Sequence, residues 1–161
     1  MEIVVRKARP EDLDGIYSVE KECFPGEYAY PRWLLEYYLL SSEGETLVAV
    51  DKEKVVAFIM FLNRKSRVYG SIETIDVLPS YRRRGVGKAL LLKAENRMRE
   101  CGLKKVFLEV NALNINALNF YKHLGYRVVK KIKNYYTTTF KGSADALRME
   151  KNLVTEHQSP H

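Results

Sequence analysis

Apolar residues along the chain change period several times, and each change marks an element. Ile3-Val4-Val5 is a short apolar run that predicts a strand. Pro10-Glu11-Asp12-Leu13 then opens a helix, because proline suits a first helical turn and the two acids suit the positive end of the helix dipole. Leu13, Ile16, Tyr17 and Glu20 continue at helical spacing to about Phe24, where Pro25-Gly26 breaks the helix. A second helix is predicted over Arg32–Leu40. Strands follow over residues 46–50 and 55–62, joined by the polar hairpin turn Asp51-Lys52-Glu53-Lys54. Residues 68–77 form a longer strand that Pro79-Ser80 stops. Leu90, Leu91, Ala94 and Met98 make the inner side of a helix over residues 86–100, and Gly102 caps it. A strand over 105–110, a helix over 116–124 ended by Gly125, and strands over 126–133 and 144–151 complete the pattern.

This order predicts an α/β chain, with helices on the faces of a mixed sheet of about seven strands and about four helices in all. The unit spanning residues 68–110 is a strand-helix-strand crossover, so its strands are expected to be parallel and its hand right-handed. A length of 161 residues suits one core, giving a single domain over 1–153. The stretch 154–161 carries no pattern and reads as a disordered tail.

No apolar stretch approaches a membrane span, and the first residues lack a signal-peptide profile, so the expected address is the cytoplasm. Cys23 and Cys101 cannot build a four-ligand zinc site and read as free, largely buried thiols. Two of the three histidines, His157 and His161, lie in the tail, so no metal is expected. The net charge of +7 is spread over Arg82-Arg83-Arg84, Lys104-Lys105 and Lys130-Lys131-Ile132-Lys133. Spread in this way it suits a phosphate-bearing cofactor, docking on ribosomal RNA, or solubility, and charge alone does not choose.

The sharpest chemical signal is Val77-Leu78-Pro79-Ser80-Tyr81-Arg82-Arg83-Arg84-Gly85-Val86-Gly87-Lys88-Ala89. A strand ends, a glycine-bearing turn follows, and a helix begins. Consecutive backbone N–H groups in such a turn form an anion pocket, which the helix N-terminus makes more positive. Gly85 and Gly87 allow close backbone approach, and the arginines match a diphosphate. A P-loop does not fit, since Arg82 and Ala89 stand where its first glycine and final Ser/Thr belong. A dinucleotide-binding turn does not fit the glycine spacing either.

The segment resembles the acetyl-CoA loop of the GNAT superfamily, Gln/Arg-x-x-Gly-x-Gly/Ala, here Arg82-Arg83-Arg84-Gly85-Val86-Gly87. Asn114, Ala117, Phe120, Tyr121, Gly125 and Tyr126 fall in register with a second signature of that superfamily. The resemblance implies the GNAT fold and acetyl-CoA as cofactor. It implies that the amides of residues 82–87, with Lys88, hold the diphosphate. Ile75, Asp76 and Val77 would offer backbone groups to the acetyl and pantetheine parts, with Asn114, Ala117 and Tyr121 lining the same arm. Asn114 can equally be a helix cap.

The acceptor amine is an ammonium at neutral pH and must lose a proton, while the leaving thiolate must gain one. Glu109 sits in a strand otherwise built from Val106, Phe107, Leu108 and Val110, so it is paired, solvated by a cleft, or functional. Lys104 and Lys105 are candidate partners for a pair. The spacing from Glu109 to Tyr121 resembles the Glu and Tyr pair of bacterial ribosomal-protein N-terminal acetyltransferases. That likeness implies Glu109 as general base and Tyr121 as general acid, Tyr121 otherwise being a packed core phenol. Glu73 is the alternative base, on the side of Ile75 and Val77 by alternation. Neither cysteine is near these motifs in sequence, so direct transfer is expected.

The ending, with Tyr135-Tyr136 and Asp145-Ala146-Leu147-Arg148-Met149, is similar to that of protein N-terminal acetyltransferases. That likeness assigns Tyr136, with Tyr135, to the substrate peptide backbone; a Tyr-rich edge strand is the structural alternative. Phe24, Pro25, Glu27 and Tyr28 resemble the first substrate loop of the same family; Phe24, Pro25 and Tyr28 are expected to form an apolar pocket for the first side chain and Glu27 to meet the α-ammonium, although Pro-Gly-Tyr segments are also ordinary loops. In some eukaryotic relatives a His stands at the position of Glu109 and a Tyr near that of Ser71. The mechanism is therefore expected to follow the carboxylate branch. The partners implied are protein or peptide N-termini, ribosomal or nascent, with the enzyme a monomer or homodimer; lysine side chains or a small-molecule amine are the alternative acceptors. No aromatic stacking platform supports a nucleic-acid binder, and no membrane partner is expected.

Overall fold

Eight consecutive residues, 55–62, are buried, which a strand achieves only in mid-sheet with both faces covered. They belong to β3 (Lys54–Arg64). A computed structural model describes residues 2–154, so most of the predicted tail, 155–161, lies outside the described residues. Around β3 run β1 (Ile3–Lys7), β2 (Gly44–Asp51), β4 (Tyr69–Val77), β5 (Lys105–Asn111), β6 (Arg127–Ile132) and β7 (Ala146–Asn152). They make a seven-stranded sheet in the order β1-β2-β3-β4-β5-β7-β6. Among the described residues there are four α-helices: α1 (Leu13–Cys23), α2 (Arg32–Leu40), α3 (Val86–Glu100) and α4 (Ile115–His123). One core cluster joins Ile16 of α1, Leu35 of α2, Phe58 of β3, Leu90 of α3, Leu108 of β5 and Met149 of β7.

Most predicted elements stand within a residue or two of their predicted ends. The first helix differs: residues 10–12 form a 3-10 turn, and α1 starts at Leu13. The Asp12 carboxylate accepts from the Arg6 guanidinium at 2.8 and 3.0 Å and from the Arg9 N–H at 2.7 Å. That cluster pins the turn before the helix can begin, and the Arg6 pair holds the Asp12 carboxyl below its ordinary range. The hairpin between β2 and β3 turns through Lys52 and Glu53, both at positive φ as tight two-residue hairpins require. Gly70 of β4 lets α3 lie close, since a Cβ there would sit 2.5 Å from the Met98 sulfur.

β4 and β5 are parallel, joined through α3, as the crossover order demands. Their pairing is short: Tyr69 with Lys105, Gly70 with Val106 and Ser71 with Phe107. Beyond these rungs β4 follows β3 to Val77, and β5 follows β7 to Asn111. The sheet therefore forks toward the C-terminal ends of its two parallel strands, the place where α/β sheets accept ligands. A bulge at Met60/Phe61 leaves Glu73 without a β3 partner. The strict alternation expected from Glu73 to Ile75 and Val77 is interrupted there.

Candidate active site

The loop after β4 begins with a 3-10 turn, Pro79–Tyr81, tied to the β2–β3 hairpin by the Tyr81 hydroxyl, which donates to Asp51 at 2.7 Å. Gly85 is the N-cap of α3 in a left-handed conformation, φ +79°. It has no side chain to cap the helix, and the first turn of α3 holds no acid. The opening N–H groups of α3 are thus left without a side-chain acceptor, beside exposed Arg82, Arg83, Arg84 and Lys88. A Cβ on Gly85 would meet nothing within 4 Å, so the space over the loop is open. Gly87 rests against Val77 and Phe120, each 3.5 Å from where its Cβ would be, which joins the loop to α4. This donor set fits a diphosphate.

The strand end is more occupied than the sequence suggests. The Val77 carbonyl accepts from Arg82 Nε at 3.0 Å and from the Cys23 thiol at 3.3 Å. Asp76 is buried, with Oδ1 accepting from the Thr74 hydroxyl at 2.9 Å, and its side chain is closed off from solvent; Ile75 is half-buried. Cys23 is brought against the end of β4 although it is remote in sequence. Burial pushes its thiol up to about 11, with Asp76 adding to the rise. Both cysteines are free, but Cys101 is exposed rather than buried, at the end of α3.

On α4, Asn114 accepts from the Ala117 N–H at 3.2 Å and so is the helix cap. Tyr121 is 7% exposed, with its ring edge-on to Phe120 and Tyr126. Burial, and secondarily the charge of Asp76, raises the Tyr121 phenol above its ordinary value, so it keeps its proton at neutral pH.

At the fork lies a cleft of about 290 Å³. Glu73 and Glu109 both line it, with Tyr30, Tyr69, Tyr135, Tyr136, Arg64 and Arg148. Glu109 accepts from Arg148 Nη2 at 2.9 Å, its register partner on β7. Lys104 and Lys105 are not its partners; Lys105 instead faces Glu150 at 3.9 Å. Glu73 accepts from the Ser71 hydroxyl at 2.8 Å and the Tyr38 hydroxyl at 3.5 Å. The Tyr135-Tyr136 pair is not an edge strand: β6 ends at Ile132, and the pair sits in the following loop, held by the Tyr136 N–H donating to the Ala144 carbonyl at 3.0 Å. Burial first, then the neighbouring carboxylates Glu109 and Glu73, raises the Tyr135 phenol.

The structure thus brings together Glu109, Glu73, Tyr135 and Tyr136. Phe24, Pro25, Glu27 and Tyr28 are exposed and do not line the cleft; Tyr30, two residues further on, does. Tyr30, Tyr38, Arg64, Tyr69 and Arg148 escaped the sequence reading. Arg148 could be found only from the β5–β7 register, which pairs residues 39 apart.

The acetyltransferase (GNAT) family profile matches residues 13–126. An "N-alpha-acetyltransferase" of Sulfurisphaera tokodaii is 34% identical over 143 residues, covering 82% of this chain and 84% of the relative. The "[Ribosomal protein bS18]-alanine N-acetyltransferase" of Escherichia coli strain K12 is 30% identical over 141 residues, covering 86% of this chain and 89% of that one. The crystal structure of the ribosomal-protein-S18-alanine N-acetyltransferase from Escherichia coli overlays with a TM-score of 0.85 at 22% identity, covering 99% of each chain. The chain belongs to the GNAT acetyltransferase family. It has the GNAT fold and is an acetyl-CoA-dependent N-acetyltransferase.

Proposed function

We propose that the protein acetylates the free N-terminal α-amine of protein or peptide chains by direct transfer, with Glu109 as general base and Tyr121 as general acid. The observation that carries this reading is the forked cleft, in which two carboxylates, Glu73 and Glu109, meet the Tyr135-Tyr136 loop one strand away from the phosphate-binding turn. Two carboxylates facing one space attract an ammonium and can take its proton. Tyrosine hydroxyls around them suit the N–H and C=O groups of a peptide end. The relatives named for N-terminal acetylation support the same acceptor.

The cofactor supplies an activated acetyl group as a thioester. Residues 82–88 hold its diphosphate through backbone N–H groups and cationic side chains, with Ile75, Asp76 and Val77 contributing backbone and Asn114 and Ala117 flanking the arm. Arg148 holds Glu109 in place while Glu109 takes the amine's proton directly or through a water. Glu73, across the cleft, is the alternative base. Tyr121 stays protonated and can give its proton to the leaving sulfur. Cys23 is the cysteine nearest the loop, and a thiol held near 11 is a poor nucleophile at neutral pH, which favours direct transfer. The substrates are taken to be nascent or ribosomal N-termini in the cytoplasm.

The test is acetyl transfer to short peptides with free or blocked N-termini, with and without an internal lysine. Product on free N-termini only is expected. Product on blocked, lysine-containing peptides or on small amines instead overturns the α-amine reading.

A further inference from the structure

Where α1 packs on β4, two acids lie together and neither is closed into an ion pair. Glu20 of α1 and Asp76 of β4 are each 2% exposed. Among the described residues neither takes part in an ion pair. One oxygen of each is accounted for: Glu20 Oε2 accepts from the Tyr30 N–H at 2.9 Å, and Asp76 Oδ1 accepts from the Thr74 hydroxyl at 2.9 Å. The other oxygens, Glu20 Oε1 and Asp76 Oδ2, are buried without a donor.

Two adjacent buried carboxylates cannot both be ionised without a large electrostatic cost, and two orphaned acceptors are resolved by a single proton lying between them. The other groups that face the pair do not supply an alternative. Arg82, in the loop after β4, opposes the rise through its charge but is outweighed by burial and Glu20; it makes no ion pair with either carboxylate, and its Nε is bound to the Val77 carbonyl. Cys23 of α1 also spends its donor on Val77. Tyr121 of α4 feels the charge of Asp76, and its ring packs between Phe120 and Tyr126. Burial, followed by contact with Glu20, raises Asp76 well above the ordinary carboxylate value.

The pair has a position as well as a charge. Asp76 lies in the strand that ends at the phosphate loop, and the Tyr30 backbone it reaches through Glu20 carries a ring that lines the peptide side of the cleft. We propose that Glu20 is a positioning residue for the peptide site: sharing one proton with Asp76, it fixes the Tyr30 backbone to β4 and so sets the wall against which the acceptor peptide lies. This rests on the reading of the cleft as a peptide site. When the shared proton leaves, two like charges face one another in the core, α1 and β4 are pushed apart there, and Tyr30 loses its anchor.

The test compares wild type with Glu20→Gln, Asp76→Asn and Glu20→Ala. In Glu20→Gln the amide carbonyl still accepts from Tyr30 while the NH₂ donates to Asp76, so the bridge stands without the extra proton. Asp76→Asn does the same from the other side. Glu20→Ala removes the anchor, and the peptide KM is expected to rise about tenfold, as for loss of a hydrogen bond to a charged group, with kcat and the acetyl-CoA KM nearly unchanged. Glu20→Gln is expected to keep the wild-type peptide KM near neutral pH. The ratio of wild-type to Glu20→Gln peptide KM, in which the titration of the peptide amine cancels, is expected to climb with pH.

A second arm uses no substrate. Because the folded state holds a proton that the unfolded chain releases near the ordinary carboxylate value, wild-type stability falls as pH rises toward the raised folded value. The melting temperature of Glu20→Gln minus that of wild type is therefore expected to grow as pH rises above the ordinary carboxylate range. A difference flat with pH, or an unchanged peptide KM in Glu20→Ala, overturns the proposal. Because melting needs no acceptor, a flat difference sinks the shared proton even if peptides react, and a growing one stands even if the acceptor proves to be another amine. If Glu20→Ala does not fold, the two amide variants carry the test alone: KM and melting profiles that track wild type at every pH overturn it.

Discussion

Arg148 and Glu109 stand directly opposite one another on β7 and β5, and the guanidinium donates to the carboxylate at 2.9 Å. The pair sets the direction of the proposed base. Glu109→Gln is expected to lower kcat by about 10²–10⁴-fold, the usual worth of a general base. Glu73→Gln, which touches the rival carboxylate, should cost far less. Steady-state kinetics on one peptide decides between them, and a larger loss in Glu73→Gln would exchange their roles. Arg148→Met should lower kcat without altering the acetyl-CoA KM.

Tyr121→Phe removes a hydroxyl and keeps the ring between Phe120 and Tyr126, so the melting temperature should barely move while kcat falls by about 10²-fold. The wild-type phenol is raised by burial, so its loss of a proton should limit the rate only above the ordinary tyrosine range. A pH–rate profile of wild type against Tyr121→Phe checks this.

The cofactor turn is tested at Gly85. Its φ of +79° disfavours a side chain, and the space above it is open. Gly85→Ala is expected to cost about 1 kcal/mol of stability through backbone strain. It should weaken acetyl-CoA by about tenfold or more in calorimetry, because the added methyl points where the diphosphate would approach.

On the peptide side, Tyr30→Ala and Tyr136→Ala should each raise the peptide KM more than Phe24→Ala and Tyr28→Ala do together, since only the first two residues line the cleft. The reverse order would return the first-residue pocket to the exposed loop.

Glu95 offers a stability test away from the site. It is 0% exposed and accepts from the Tyr126 hydroxyl and from Lys151, both at 2.8 Å. Glu95→Ala strands both donors and is expected to cost about 3 kcal/mol. That corresponds to a fall of about 6–12 °C in melting temperature for a chain of this size.

Much of this was legible beforehand because it is local. Helix α3 and the loop before it are written in one contiguous stretch, where glycines, arginines and the apolar stripe Leu90, Leu91, Ala94 and Met98 agree. Glu109 could be singled out because a carboxylate interrupts an apolar strand. What escaped depends on pairing between distant segments. The bulge at Glu73 is a property of the β3–β4 register, and Arg148 and Tyr30 reach the cleft only once β7 and the loop after α1 are docked. The short 3-10 turn at Pro10 was hidden for a different reason: its cause, the pair between Asp12 and Arg6 six residues earlier, is local but leaves no mark in the apolar pattern.

The fork between β4 and β5 also bears on how the molecule breathes. Strands β1 to β4 form an antiparallel meander, and β5, β7 and β6 a second antiparallel group, with only three parallel rungs between them. Amide deuteration should therefore proceed in two blocks, and the protons of Ile72 to Val77 facing away from β3 should exchange earliest within their strand. Ligand seated in the fork would stitch the blocks together and slow both.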